Sequence, residues 1–195
     1  MRQLFLTFLL LPFLSFSQLR DSITIKSDNF EILYSEVLEQ PILVKYSIPC
    51  PEGSVIYSRR GIDFYKTDKI HTSDSKDYYR NVWDKGHMVP SADFNCDKKL
   101  MKSVFSYVNC ALQHEELNRK QWKYLERHER KLTQYGDVYI IIKIIFTASE
   151  KLPTGATIPS FFQKEIYLDN KLYGIWKFPN NNSVIGKKVN YFKVK

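Results

Sequence analysis

Residues 83–130 read WDKGHMVPSADFNCDKKLMKSVFSYVNCALQHEELNRKQWKYLERHER, and the reading of this stretch decides the fold. It holds three of the four histidines, His87, His114 and His128, so the side chains able to move protons at neutral pH are concentrated here. At its start, Asp84-Lys85-Gly86-His87 reads as a strand running out into a loop, with Gly86 permitting close backbone approach. Met88-Val89-Pro90 then leads into a turn-rich run with Ser91, Asn95 and Asp97. At its end, residues 118–130 contain neither Gly nor Pro and have the composition of a helix.

Within that helix, positions 118, 122, 126 and 130 step by four and drift by about 40° per step. One side therefore presents Asn118, Trp122, Glu126 and Arg130, while Leu117, Leu125 and Leu132 form an apolar line for the core. Taken alone, Glu126 and Arg130 would be an ordinary i,i+4 surface pair. A straight helix separates Asn118 and Glu126 by about 12 Å along its axis, too far for both to ligate one ion directly. The economical arrangement makes Asn118 the direct oxygen ligand of a divalent ion, with Glu126 acting through the ion's water shell. Magnesium suits that arrangement, since it keeps several waters; manganese is the alternative. His87 supplies a neutral imidazole suited to take a proton from water. Asp84 either orients that imidazole or holds the turn, and Lys85 sets a positive charge beside the anion under attack. One base, few ligand oxygens and several cations are what metal-assisted hydrolysis of a phosphodiester requires.

Outward from this stretch, residues 1–17 carry one cation, Arg2, an apolar run LFLTFLLLPFLSF and a small-x-small ending at Ser15-Phe16-Ser17. This is the pattern of a cleaved secretory leader, and the run is short of the roughly 20 residues a spanning helix needs. The expectation is a secreted or periplasmic protein without stable membrane association, with residues 18–195 as one domain. Removing residues 1–17 from the 195 leaves 178, and the net charge of +8 loses only Arg2. Such a basic chain is biased towards polyanions, though charge alone does not choose among nucleic acid, anionic lipid and acidic glycan. The three cysteines, Cys50, Cys96 and Cys110, allow at most one internal disulfide, with three possible pairings, and match no zinc spacing.

Residues 30–38 and 42–48 read as two strands separated by Gln40-Pro41, and 52–79 as polar surface loop around short strands. The run DVYIIIKIIF at 137–146 reads as a buried central strand. Segments 155–168 and 171–178 read as further strands joined by Asp169-Asn170, and the tail from Pro179 reads equally as a last strand or a loosely held end. Arg59-Arg60 is either a solvated pair or a phosphate contact, because a guanidinium offers a planar donor fork.

In order, DKGHMVP, NCALQ and NRKQWKYLERHER resemble the spaced motifs of the DNA/RNA non-specific endonucleases of the ββα-metal superfamily, and KLPTGATIPSFFQKEIY is similar to the segment before their last strands. The resemblance runs from about Arg59 to Phe178. It implies an α+β fold, a mixed and mainly antiparallel sheet carrying a ββα-metal nuclease core, and metal-dependent hydrolysis of DNA and RNA to 5′-phosphate-ended fragments. By the same resemblance His87 falls on the general base, Asn118 on the metal-binding asparagine and Glu126 on the carboxylate that orders the ion's water. Arg130 falls on a phosphate-stabilising arginine, and Asn109 on an active-site asparagine that supports the site. Lys85 and either Arg59 or Arg60 fall on substrate-phosphate contacts. Lys85 stands where the family has arginine, keeping charge without the bidentate fork. Ala111-Leu112 and FTAS at 146–149 also depart from the family pattern. Two other readings compete: a catalytically silent secreted nucleic-acid-binding protein, and a nuclease effector held off by an inhibitor protein.

Overall fold

A computed structural model describes residues 19–147 and 150–195. The leader reading therefore lies outside the described residues, as do Ala148 and Ser149 of the FTAS segment. Among the described residues, no helix is long and apolar enough to cross a membrane.

The chain forms a six-stranded antiparallel sheet with a separate two-stranded ribbon. In chain order the strands are β1 (Ile23–Lys26), β2 (Phe30–Ser35), β3 (Gln40–Ser47), β4 (Trp83–His87), β5 (Cys110–His114), β6 (Val138–Ile145), β7 (Phe161–Leu168) and β8 (Lys171–Pro179). The large sheet runs β1-β2-β3-β6-β7-β8, and β4 pairs β5. The fold is thus mixed α+β and mainly antiparallel. The helices are α1 (Lys98–Ser103) and α2 (Lys123–Leu132), the latter continuing directly from a π-helical segment, Leu117–Trp122.

Period-two alternation decides which face of the sheet is covered. Register places Ile32, Val44, Ile142, Lys164 and Trp176 in one row across five strands. All five are buried, whereas Lys45, Lys143 and Lys177, one step out of phase, look outward. Onto the covered face pack α2, through Leu125 and Leu132, and the segment after β4, through Met88, Val89 and Phe94. The apolar run 138–145 occupies the middle of the sheet, paired by β3 on one side and β7 on the other.

Several local expectations need correction. Gln40 and Pro41 belong to β3 and do not separate two strands. Pro41 is tolerated because it sits at the register shift against Tyr34, and β6 pairs only with Leu43–Ser47, so no ladder donor is lost there. The strand read over 155–168 begins at Phe161. Between residues 52 and 79 there is no strand, only an isolated bridge from Tyr65 to Ser106, and Thr72, Ser73 and Asp77 are buried. The β7–β8 hairpin turns at Asp169-Asn170, both left-handed at φ 48° and 62°, the geometry that suits Asp and Asn in tight hairpins. The tail is a pair of short 3₁₀ turns, Asn182–Val184 and Val189–Phe192, held to β8 by a bridge between Trp176 and Lys193. Cys50 and Cys96 form a disulfide, and Cys110 is a buried free thiol.

Candidate active site

The β4–β5 ribbon and α2 enclose a cleft of about 330 Å³. Strand alternation turns Lys85 and His87 into it from β4, the helix contributes Asn118, Glu126 and Arg130, and Arg59 closes one side. Arg119, Lys123 and Arg127 complete a lining of six cations and one carboxylate, Glu126. Gly86 is required where the sequence placed it, since a Cβ there would come within 2.6 Å of the Gln113 side chain on β5.

His87 is held by rings. Phe64 lies 4.5 Å from it centroid to centroid, and Phe105 meets it edge-on at 4.8 Å. Its Nε2 is buried with no hydrogen-bond partner among the described residues. Burial first, and then the charge of Arg59, push the imidazole down to about 3. The ring is therefore neutral at pH 7. Asp84 does not orient it. Instead Asp84 Oδ2 accepts from Asn118 Nδ2 at 2.9 Å, and the same carboxylate takes two bonds from Arg119, at 2.9 and 2.7 Å. A carboxylate can only accept, so it binds the nitrogen of the Asn118 amide and leaves Oδ1 as the atom on offer.

The π-helical turn matters for what faces the cleft. On an α-helix the eight-residue step from Asn118 to Glu126 drifts by about 80°. The wider i→i+5 turn draws that step back, so both residues reach one cleft. Trp122 does not join them as the four-residue spacing suggested. It is fully buried, edge-on to Phe162 and Phe178 at 5.6 and 6.0 Å, because a large apolar ring gains more against the sheet than in a wet cleft.

Behind the cleft lies a buried charge cluster. Arg130 does not pair with Glu126; its Nη1 bonds Asp93 Oδ1 at 2.7 Å, and Asp93 is wholly buried. Lys164 reaches Glu129 at 3.0 and 3.2 Å with both side chains fully buried, and Tyr46 donates to Glu129 at 2.8 Å. Burial, with Glu129 adding, raises the Asp93 carboxyl well above its usual range. Burial likewise raises Glu126 to about 7, the nearby Lys164 opposing and Glu129 adding.

Two sequence candidates lie outside the cleft. Asn109 is buried and its amide clamps the loop after His87, accepting from Val89 N and donating to Val89 O and Val104 O at 2.8–3.0 Å. It is thus a positioning residue. Arg60 is exposed and does not line the cleft, whereas Arg59 lines it with its guanidinium over Phe105 at 5.5 Å.

The family model for DNA/RNA non-specific endonucleases matches residues 15–194. The chain belongs to this family. The mitochondrial nuclease of Saccharomyces cerevisiae is 26% identical over 173 residues, covering 86% of this chain and 48% of that protein. A nuclease of Syncephalastrum racemosum is 36% identical over 88 residues, covering 44% and 27%. The mitochondrial nuclease EXOG of Danio rerio is 31% identical over 74 residues, covering 37% and 22%. The chain spans about half or less of the length of these relatives. Among solved structures, EndoG in a complex with EndoGI aligns with a TM-score of 0.73 at 23% identity, over 88% of this chain and 80% of that one. It shares the fold.

For this member of the endonuclease family, the residues that sequence reasoning missed are mostly second partners. Asp93 for Arg130 and Phe64 for His87 come from segments far apart in the chain, and Asp84, named as a candidate, was not matched to Asn118. The Glu129–Lys164 pair did leave a trace. Lys164 is in phase with buried Phe162 and Ile166, and Glu129 with buried Leu125 and Leu132, so each charge occupies a core position of its own element.

Asn118 fits a divalent ion, because its amide nitrogen is taken by Asp84, leaving the oxygen, and Glu126 shares the cleft. Among the described residues no group of three His, Cys, Asp or Glu gathers to form an all-protein metal cage. That suits a hard ion held by few protein oxygens.

Proposed function

We propose that this chain is a divalent-metal-dependent endonuclease that hydrolyses phosphodiester bonds of DNA and RNA, leaving 5′-phosphate ends. The observation that carries the reading is the convergence of His87, Asn118, Glu126 and Arg130 on one cleft whose other charged lining residues are all cations. The cations draw in and hold the phosphate, Arg130 being fixed in direction by Asp93. His87, neutral and enclosed by Phe64 and Phe105, takes the proton of the attacking water. Asn118 would hold a divalent ion through its amide oxygen, which Asp84 keeps aimed by binding the amide nitrogen, and Glu126 would orient water in the same cleft. A divalent ion such as magnesium bound there would supply Lewis-acid stabilisation of negative charge on the phosphate. Contacts to the backbone, rather than to base edges, make the enzyme tolerant of sequence and of sugar.

The leader-like residues 1–17 support export, and the Cys50–Cys96 disulfide fits an oxidising compartment outside the cytosol. An open cationic cleft is also a natural target for an acidic inhibitor protein, and the EndoG neighbour was solved in complex with EndoGI, in a study of its inhibition.

End-group analysis tests the chemistry. Fragments of a DNA and an RNA oligomer are expected to accept labelled phosphate from a kinase only after phosphatase treatment. Fragments that accept it directly carry 5′-hydroxyls and would overturn the proposed direction of cleavage.

A further inference from the structure

A second groove, of about 540 Å³, lies on the other flank of α2, between that helix, edge strand β8 and the C-terminal turns. Its walls are Tyr124 and His128 from α2, Tyr173 and Trp176 from β8, and Asn190 and Lys193 from the tail. No carboxylate lines it among the described residues. Tyr173 and Trp176 are nearly parallel, 24° apart with centroids 6.4 Å apart, and Lys193 Nζ sits over both rings at 5.6 and 5.2 Å. This geometry depends on Gly174, where a Cβ would meet the Trp176 ring at 2.7 Å and Lys193 Cε at 2.9 Å. His128 Nε2 and the Tyr173 hydroxyl are 2.9 Å apart. Exposed Tyr191 stands nearby with Lys187 over its ring at 4.5 Å.

One helix separates the groove from the catalytic cleft. Lys123 and Arg127 line the cleft, their neighbours Tyr124 and His128 line the groove, and the Arg127 guanidinium lies over the exposed Tyr124 ring at 5.9 Å. Aromatic faces interleaved with cations, and free of acids, match a polyanion that also carries flat rings. An apolar peptide would leave the Lys193 ammonium without a counter-charge, so charge complementarity favours a nucleic-acid strand.

We propose that this groove is a second nucleic-acid subsite, which takes an unpaired stretch of the strand whose scissile phosphate sits in the cleft. A base lies against Tyr124 and Tyr173, and a phosphate meets Lys193 and His128. An α-helix is about 10–12 Å across, so a substrate must be several nucleotides long to occupy both sites. The inference rests on the nuclease reading for its direction but makes a separate claim about binding.

The test uses the full chain and two probes. A fluorescein-labelled 16-residue oligothymidylate is titrated in EDTA, which prevents cleavage, and bis(p-nitrophenyl) phosphate is hydrolysed with magnesium as the minimal substrate. The exposed pair Tyr173→Ala and Lys193→Ala is combined, with Lys26→Ala on the opposite edge of the sheet as control. The double variant is expected to bind the 16-mer roughly tenfold or more weakly, by the usual cost of lost base stacking. It is also expected to raise KM for the 16-mer while hydrolysing the small diester at the wild-type rate. Equal 16-mer affinity in the double variant and wild type overturns the subsite, as does an equal loss on both substrates. Should the wild type hydrolyse neither substrate while the double variant still loses 16-mer affinity, the nuclease reading falls and the subsite stands. Tyr124→Ala, on a different element, must show the same selective loss; if it does not, the groove is not the site.

Discussion

Replacing Asp84 with alanine isolates the orientation of Asn118. In the wild type one carboxylate oxygen, 2.9 Å from Asn118 Nδ2, decides which end of the amide faces the cleft. A hydrogen bond to a charged acceptor contributes about 1.5–3 kcal/mol. Without it the amide presents nitrogen and oxygen with little preference. That energy holds more than about nine-tenths of the molecules with Oδ1 outward, so its loss cuts the competent fraction to about half and weakens the affinity for an ion held by Oδ1 about twofold. Fold stability should change by about 1 kcal/mol or less, because the other partner, Arg119, is largely exposed. The assay is initial rate against magnesium concentration at fixed DNA. The half-saturating magnesium should rise by about twofold, while the rate at saturation stays near wild type. Arg119→Ala serves as the control, since it removes the other ion-pair partner and leaves the Asp84–Asn118 bond. An unchanged magnesium dependence in Asp84→Ala would refute the reasoning, and so would an equal rise in Arg119→Ala.

Other predictions concern the scaffold. Lys164→Met leaves Glu129 buried with Tyr46 as its remaining bonding partner and should cost about 3–5 kcal/mol in urea unfolding; adding Glu129→Leu should restore much of it. His87 sits at about 3 when folded and near 6.5 when unfolded, so between those values the unfolded chain takes up a proton that the folded chain does not. Its contribution to stability is therefore lost as pH falls from 6.5 towards 3. Wild type should lose more stability than His87→Phe between pH 7 and pH 4.5, and equal losses would contradict the burial. Cys50→Ser/Cys96→Ser opens a loop of sequence separation 46 and should lower stability by up to about 4 kcal/mol on the chain-entropy account, measured as a shift in the denaturation midpoint.

The parts of this fold legible in the sequence were those set by local periodicity. The run at 138–145 announced a central strand, Asp169-Asn170 announced a hairpin, and Leu117, Leu125 and Leu132 marked the buried side of the helix. Motif order and spacing brought His87, Asn118, Glu126 and Arg130 forward as one set, and the cleft gathers them. What stayed hidden depends on contacts between distant segments. A π-turn has no composition signature, so the sequence could not show that Trp122 leaves the cleft face while Asn118 and Glu126 share it. Asp84 carried two open roles because the residue it touches lies 34 positions away. Among three cysteines, no spacing rule selects Cys50 with Cys96, and only the packing of the segment after Cys50 beside Ala92 and Asn95 does.

The most direct test of the central claim is cleavage of plasmid DNA and single-stranded RNA by the purified chain, with magnesium or with EDTA, beside His87→Ala. The account predicts that both polymers are degraded only with the metal, and that the substitution lowers the rate by about 100-fold or more, as expected when a general base is lost. Salt-sensitive binding of DNA without cleavage under any of several divalent ions, or full activity in His87→Ala, would contradict it.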